Sequence, residues 1–111
     1  MTKPLGPYTP VVRAGEWVVT SGQIAPDAGD VAAQTSQALS QLRNLLESEG
    51  ASLADVVKAT VFLVDMADFE AMNAAYAAAF GDHRPARTTI AVAALPAGAQ
   101  VEVEAWAHLG R

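Results

Sequence analysis

Residues 85–105, PARTTIAVAALPAGAQVEVEA, run as two alternating segments around a Leu-Pro loop, with Arg87 near the start and Glu102 and Glu104 near the end. In an extended strand successive side chains point to opposite faces. Arg87, Thr89 and Ala91 therefore share one face, and Thr88, Ile90 and Val92 the other. In the returning strand Val101, Val103 and Ala105 separate from Glu102, Glu104 and Trp106. If the two strands pair, a guanidinium and a carboxylate lie near each other. A strand with one face in water shows the same pattern, and cross-strand charge pairs are common there. Spacing alone thus leaves a structural and a functional reading open.

Upstream, Tyr8–Arg13 and Glu16–Ile24 read as two strands joined by a tight turn at Ala14 and Gly15. Ala25–Asp30 is rich in turn residues, and Asp30 is placed to cap a helix over Val31–Glu49. Val31, Thr35, Ala38, Leu39, Leu42, Leu45 and Leu46 recur there at helical spacing, and Gly50 is a natural stop. Ser52–Asp55 forms a short capped turn before VVKATVFLV (56–64), a β-branched run expected to be buried on most of both faces. Asp65 or Asp68 then caps a second helix whose inward stripe is Phe69, Met72, Asn73, Tyr76 and Phe80, ended by Gly81. The order strand, strand, helix, strand, helix, strand, strand predicts one α+β domain over residues 1–111, a mixed sheet with two helices on one face. Two helices cover one face only, so apolar residues on the other call for a second copy of the chain.

Composition narrows the function. A net charge of −5, with 7 scattered basic residues, argues against nucleic acid as a partner. The chain has no cysteine, which removes disulfides and a thiol nucleophile, and His83 and His108 without cysteine form no metal-ligand spacing. MTKPLGPYTP (1–10) has no apolar core of signal-peptide length, and no apolar run approaches the about 20 residues of a membrane span, so a cytoplasmic location is expected.

The 85–105 stretch resembles the C-terminal signature of the YjgF/RidA family of enamine/imine deaminases, with Arg87, Leu95, Pro96, Glu102 and Glu104 where that signature has them. GPYTPVV (6–12), TSGQI (20–24) and VVKATVFLVDMADFEAMNAAYAAAFG (56–81) extend the resemblance over nearly the whole chain. It implies a chorismate-mutase-like fold, a homotrimer with ligand clefts between subunits, and hydrolysis of 2-imino acids such as 2-iminobutanoate and 2-iminopropanoate to 2-oxo acids and ammonia, with no cofactor and no metal. Carried over residue by residue, it makes Arg87 the anchor for the substrate carboxylate, suited to that by its planar two-pronged donor edge. Glu102 is the carboxylate that orients water, preferred to Glu104, and Tyr8 and Ser21 complete the catalytic set. Gly22 and the Thr89 backbone N–H line the pocket. His83, in GDHRPAR, matches a family histidine but reads as a solvated or capping group, and His108 as surface.

The loop after Ile24 is shorter than the family's usual one, and Thr9-Pro10 replaces the commoner residues after tyrosine, changes that bear on the mouth of the cleft. Two other functions fit the same residues: a non-catalytic trimer that binds a small 2-oxo acid, and an RNA-directed translation inhibitor or ribonuclease.

Overall fold

A computed structural model describes residues 4–110. Met1–Lys3 of the N-terminal reading, and Arg111, lie outside the described residues. The chain order is β1 (Val11–Ala14), β2 (Trp17–Thr20), α1 (Val31–Ser48), β3 (Val56–Leu63), α2 (Phe69–Phe80), β4 (Ala86–Ala91) and β5 (Val101–His108). Two helices pack on one face of a mixed five-stranded sheet, as expected of an α+β domain.

Local chemistry sets the elements. Asp30 accepts the Ala33 N–H at 2.9 Å and starts α1, while Gly50, at φ +82°, takes the left-handed turn that ends it. The whole predicted stripe from Val31 to Leu46 is buried. Leu39, Leu42 and Leu46 are fully enclosed, each stabilising the fold by roughly 1.5–3 kcal/mol relative to exposure. Asp65 caps a 3-10 turn over Met66–Asp68 through the Ala67 N–H at 2.9 Å, and α2 continues from that turn. Ser52–Asp55 forms the expected capped turn.

The strand order is β1-β2-β5-β3-β4, with β3 and β4 parallel and the other pairs antiparallel. The last strand therefore enters the middle, between β2 and β3. β4 and β5 do not pair, because β3 lies between them, so the condition that would bring Arg87 beside Glu102 or Glu104 is not met. Arg87 aligns with Ala59, and Ala59 with Ala105, a row that faces the helices. Thr88, Thr60 and Glu104 form a row on the opposite face, as do Ile90, Phe62 and Glu102.

β3 is sealed on the helix side, where Ala59, Val61 and Leu63 are fully buried, but Lys58, Thr60 and Phe62 on the other side are only half-buried. The run expected to be buried on both faces is thus buried on one, because no helical layer covers the second. On this open face Val12, Trp17, Ile90 and Trp106 are each 41–51% exposed. The first two strands are shorter than expected. Pro7 and Pro10 lack the N–H a ladder needs, and β2 loses its register beyond Thr20.

Candidate functional site

The loss of register is a bulge. Val19 pairs with Trp106 and Gln23 with Val103, so the chain advances four residues on one side and three on the other. The Thr20 hydroxyl fills the gap by accepting the Ala105 N–H at 3.1 Å. Ser21 is turned to the N-terminal segment: its N–H donates to Pro10 O at 2.8 Å and its hydroxyl to Thr9 O at 2.7 Å. The extra residue also turns Gln23 inward, where its amide oxygen accepts from Gln41 at 3.2 Å.

Gly22 then comes under Glu102. A methyl group at Gly22 would stand 1.8 Å from Glu102 Oε2 and 2.9 Å from Cγ, so only a bare backbone fits beneath this carboxylate. Burial is the main cause that raises the Glu102 pKa above the ordinary carboxylate value, and the neighbouring negative charge of Glu104 adds to it. A carboxylate so placed exchanges protons closer to neutral pH than a free one. Beside Gly22, a cleft of about 280 Å³ is walled by Leu5, Tyr8, Pro10, Ile24 and Pro26. Tyr8 is 47% exposed, and its hydroxyl accepts the Leu5 N–H at 3.2 Å.

Arg87 sits elsewhere, at the outer edge of the sheet and on the helix side. Its Nη2 donates to Asn73 Oδ1 at 2.7 Å, and its guanidinium carbon lies 4.8 Å from the Tyr76 ring centre and 5.7 Å from that of Phe69. Its Nη1 faces the Met72 sulfur at 3.9 Å. No carboxylate among the described residues bonds it. The alternative that Arg87 pairs with Glu102 or Glu104 inside one chain is excluded, since the charges lie on opposite faces of the sheet.

Thr89 shares the Arg87 face. Because the Val92 N–H bonds Leu63 O in this parallel pair, the N–H groups of Thr88, Ile90 and Val92 face β3. Those of Arg87, Thr89 and Ala91 point to the free edge. The chain thus gathers Glu102, Gly22, Ser21 and Tyr8 around the bulge, and Arg87 with the Thr89 N–H at the β4 edge, without bringing the two groups together.

Asn73 was not singled out by sequence reasoning, which placed it in the apolar stripe of α2. A lone amide on an otherwise greasy face needs a polar partner, and that was the available signal. His83 is more structural than its loop position implied: its Nε2 lies 2.7 Å from Val56 O and its ring stands beside Phe80. His108 is corrected from surface to half-buried, its ring packed edge-on against Trp17 at 4.7 Å.

Residues 1–109 match the family model described as Endoribonuclease L-PSP. The chain belongs to the YjgF/RidA family. A RutC family protein of Pyrococcus horikoshii is 42% identical over 96% of this chain and 90% of its own. The 2-iminobutanoate/2-iminopropanoate deaminase of Salmonella typhimurium is 42% identical over 91% and 86%. The crystal structure of E. coli TdcF with bound serine superposes with a TM-score of 0.90 at 34% identity, over 95% of this chain and 90% of that one.

Proposed function

We propose that the protein is a 2-iminobutanoate/2-iminopropanoate deaminase, adding water across the C=N bond of a 2-imino acid to release a 2-oxo acid and ammonia. One observation carries the reading. Arg87 is half-buried, held in place by Asn73 and two aromatic rings, and has no carboxylate partner within the described chain. An oriented, unpaired guanidinium is a ready anchor for a substrate carboxylate. The relative named as a deaminase at 42% identity, and the related structure that holds serine, support a small carboxylate-bearing ligand.

In this reading Arg87 and the Thr89 N–H fix the carboxylate of the imine. Glu102, with its raised pKa, orients a water toward the imine carbon, takes a proton from it and returns one to the departing amine. Tyr8, Ser21 and Gly22 line the opposing wall. Imines of this kind hydrolyse in water unaided, so positioning and modest electrostatic help suffice. Since the two groups of residues are separated within one chain, the site is built between copies, and the apolar open face with Trp17 and Trp106 is what those copies cover, in a homotrimer.

The test is 2-oxo acid formation from an imine generated in situ by an amino-acid oxidase, with semicarbazide competing for the imine. Wild type is expected to accelerate it, and a folded, still oligomeric Arg87→Ala variant to lose the acceleration. No acceleration by wild type across several side-chain sizes refutes the deaminase reading in favour of a trimer that only binds 2-oxo acids. The family model's description also names a ribonuclease. With a net charge of −5 the chain offers little to a phosphate backbone, and a salt-insensitive or absent RNA titration is the expected result.

A further inference from the structure

Beside Arg87 a second guanidinium stands without a carboxylate. Arg84 and Arg87 wall one depression of about 310 Å³ together with Asn73, Tyr76, Ala77 and Pro85. Arg84 is tethered: its Nη1 donates to the carbonyls of Gly81 and His83, the latter at 3.0 Å. Its Nη2 and Nε have no hydrogen-bond partner among the described residues. Two cations held in one depression repel each other unless an anion lies between them. In a chain of net charge −5 their convergence without a carboxylate is a local reversal of sign.

The wall also carries an unmet buried donor. Tyr76 is 5% exposed, and its hydroxyl is a buried side-chain polar atom with no hydrogen-bond partner. Burial raises its pKa and outweighs the opposing charges of Arg87 and Arg84, so it remains a protonated donor. A buried donor without an acceptor is costly to leave unmet.

We propose that Arg84 and Arg87 form a paired anion site and that the preferred substrates are dicarboxylic 2-imino acids, Arg87 taking the carboxylate next to the imine and Arg84 the one at the end of the side chain. This rests on the deaminase reading for the first carboxylate. A monocarboxylic imine matches one guanidinium and leaves Arg84 unmatched, whereas a dicarboxylic one neutralises both. Such imines arise by oxidation of the amino group of acidic amino acids, so a reaction of that class supplies the substrate.

The test compares 2-oxoglutarate with 2-oxopentanoate, which has the same chain length without the second carboxylate, by calorimetric titration of the assembled protein at about 0.1 M salt. Wild type is expected to bind 2-oxoglutarate about tenfold more tightly, the worth of one charge-assisted hydrogen bond partly screened by solvent. Arg84→Gln is expected to bring the two affinities together, and Arg87→Gln to weaken both ligands. Equal affinities in wild type, a preference that survives Arg84→Gln, or no binding of either acid overturns the proposal. Turnover of 2-iminobutanoate and of the dicarboxylic 2-iminoglutarate, each generated in situ, is measured alongside. Turnover with equal affinities leaves the deaminase reading standing and removes the paired site, while the tenfold preference with turnover of neither imine leaves an anion site and overturns both the deaminase and the substrate assignment.

Discussion

Gly22→Ala isolates the position of the Glu102 carboxylate. The added methyl would lie 1.8 Å from Oε2 and 2.7 Å from Cδ, whereas unstrained contacts of this kind are about 3.3 Å or longer. The carboxylate must therefore withdraw by roughly 1.5 Å. The fold should tolerate this. Gly22 is not among the positive-φ residues, so alanine fits the backbone, and all three atoms in the way belong to one flexible side chain. The lost freedom of the unfolded chain gains about 0.4–1 kcal/mol, and an off-rotamer glutamate costs about 0.5–1.5 kcal/mol, leaving stability within about 1 kcal/mol. Chemistry is another matter, because misplacing a reacting group by about 1 Å costs on the order of 10²-fold in rate. The expected result in the semicarbazide-competition assay is a kcat down by about 10²-fold, a KM near wild type because Arg87 is untouched, and a Tm within a few degrees. Turnover within threefold of wild type would refute the assignment of Glu102. A Tm lowered by more than about ten degrees would refute the claim that only a mobile side chain stands in the way.

Asn73→Ala removes the acceptor that steers Arg87 and should raise KM about tenfold, with a smaller effect on kcat. Asn73→Asp puts a carboxylate against the same guanidinium and should lose more; parity of the two variants in steady-state kinetics would count against the anchor. Glu102 binds its proton more tightly in the folded chain than in the unfolded one, so its contribution to stability falls as pH rises from the unfolded carboxylate pKa through the raised folded value. Melting curves from pH 3 to 8 should show Glu102→Gln at least as stable as wild type at pH 7, with the difference closing below about pH 4, and a reversed trend would contradict the burial argument. Equal mixing of inactive Arg87→Ala and Glu102→Gln chains, dissociated and reassembled together, should restore about a quarter of wild-type turnover, since each site draws one residue from each of two neighbours. No recovery in oligomers verified as mixed would refute a site built between copies.

The helices were legible because their signals are local: a capping aspartate, a 3.6-residue stripe and a terminal glycine are readable within one segment. The strands were legible as elements but not as neighbours. Sequence adjacency favours pairing β4 with β5, and nothing within PARTTIAVAALPAGAQVEVEA tells that its second half slides between β2 and β3. That one non-local step moved Glu102 to the middle of the sheet and left Arg87 on its edge. The bulge at Ser21-Gly22 is not legible in the sequence for a similar reason, since it is defined by a count on the partner strand. Asn73 was visible in principle, as an amide in a greasy stripe, but its meaning depends on an arginine fourteen residues downstream. Periodicity alone leaves Arg87, Glu102, Tyr8, Ser21 and Gly22 as surface decoration or strand ends, and only the resemblance carried by the motifs singles them out.

In the proposed oligomer the strand order would tie the site to assembly through three separate exposures. The β4 edge offers unpaired N–H groups, which an isolated chain would need to protect from adventitious pairing. The open face carries two tryptophans in edge-to-face contact at 6.1 Å, together with Val12 and Ile90, more apolar surface than a lone sheet face usually shows to water. Glu102 lies on that same face, half-buried and without a hydrogen-bond partner among the described residues. A closed ring that lays the open face of one copy toward the β4 edge of the next relieves all three at once. In the proposed deaminase it would also carry Arg87, which has no carboxylate partner of its own among the described residues, to the Glu102 carboxylate. In such an assembly, burial of the face adds desolvation that raises the Glu102 pKa while the neighbouring Arg87 charge opposes it, so acid–base behaviour would depend on the same surface. Activity lost on dilution should thus return with the oligomer and not with the folded monomer.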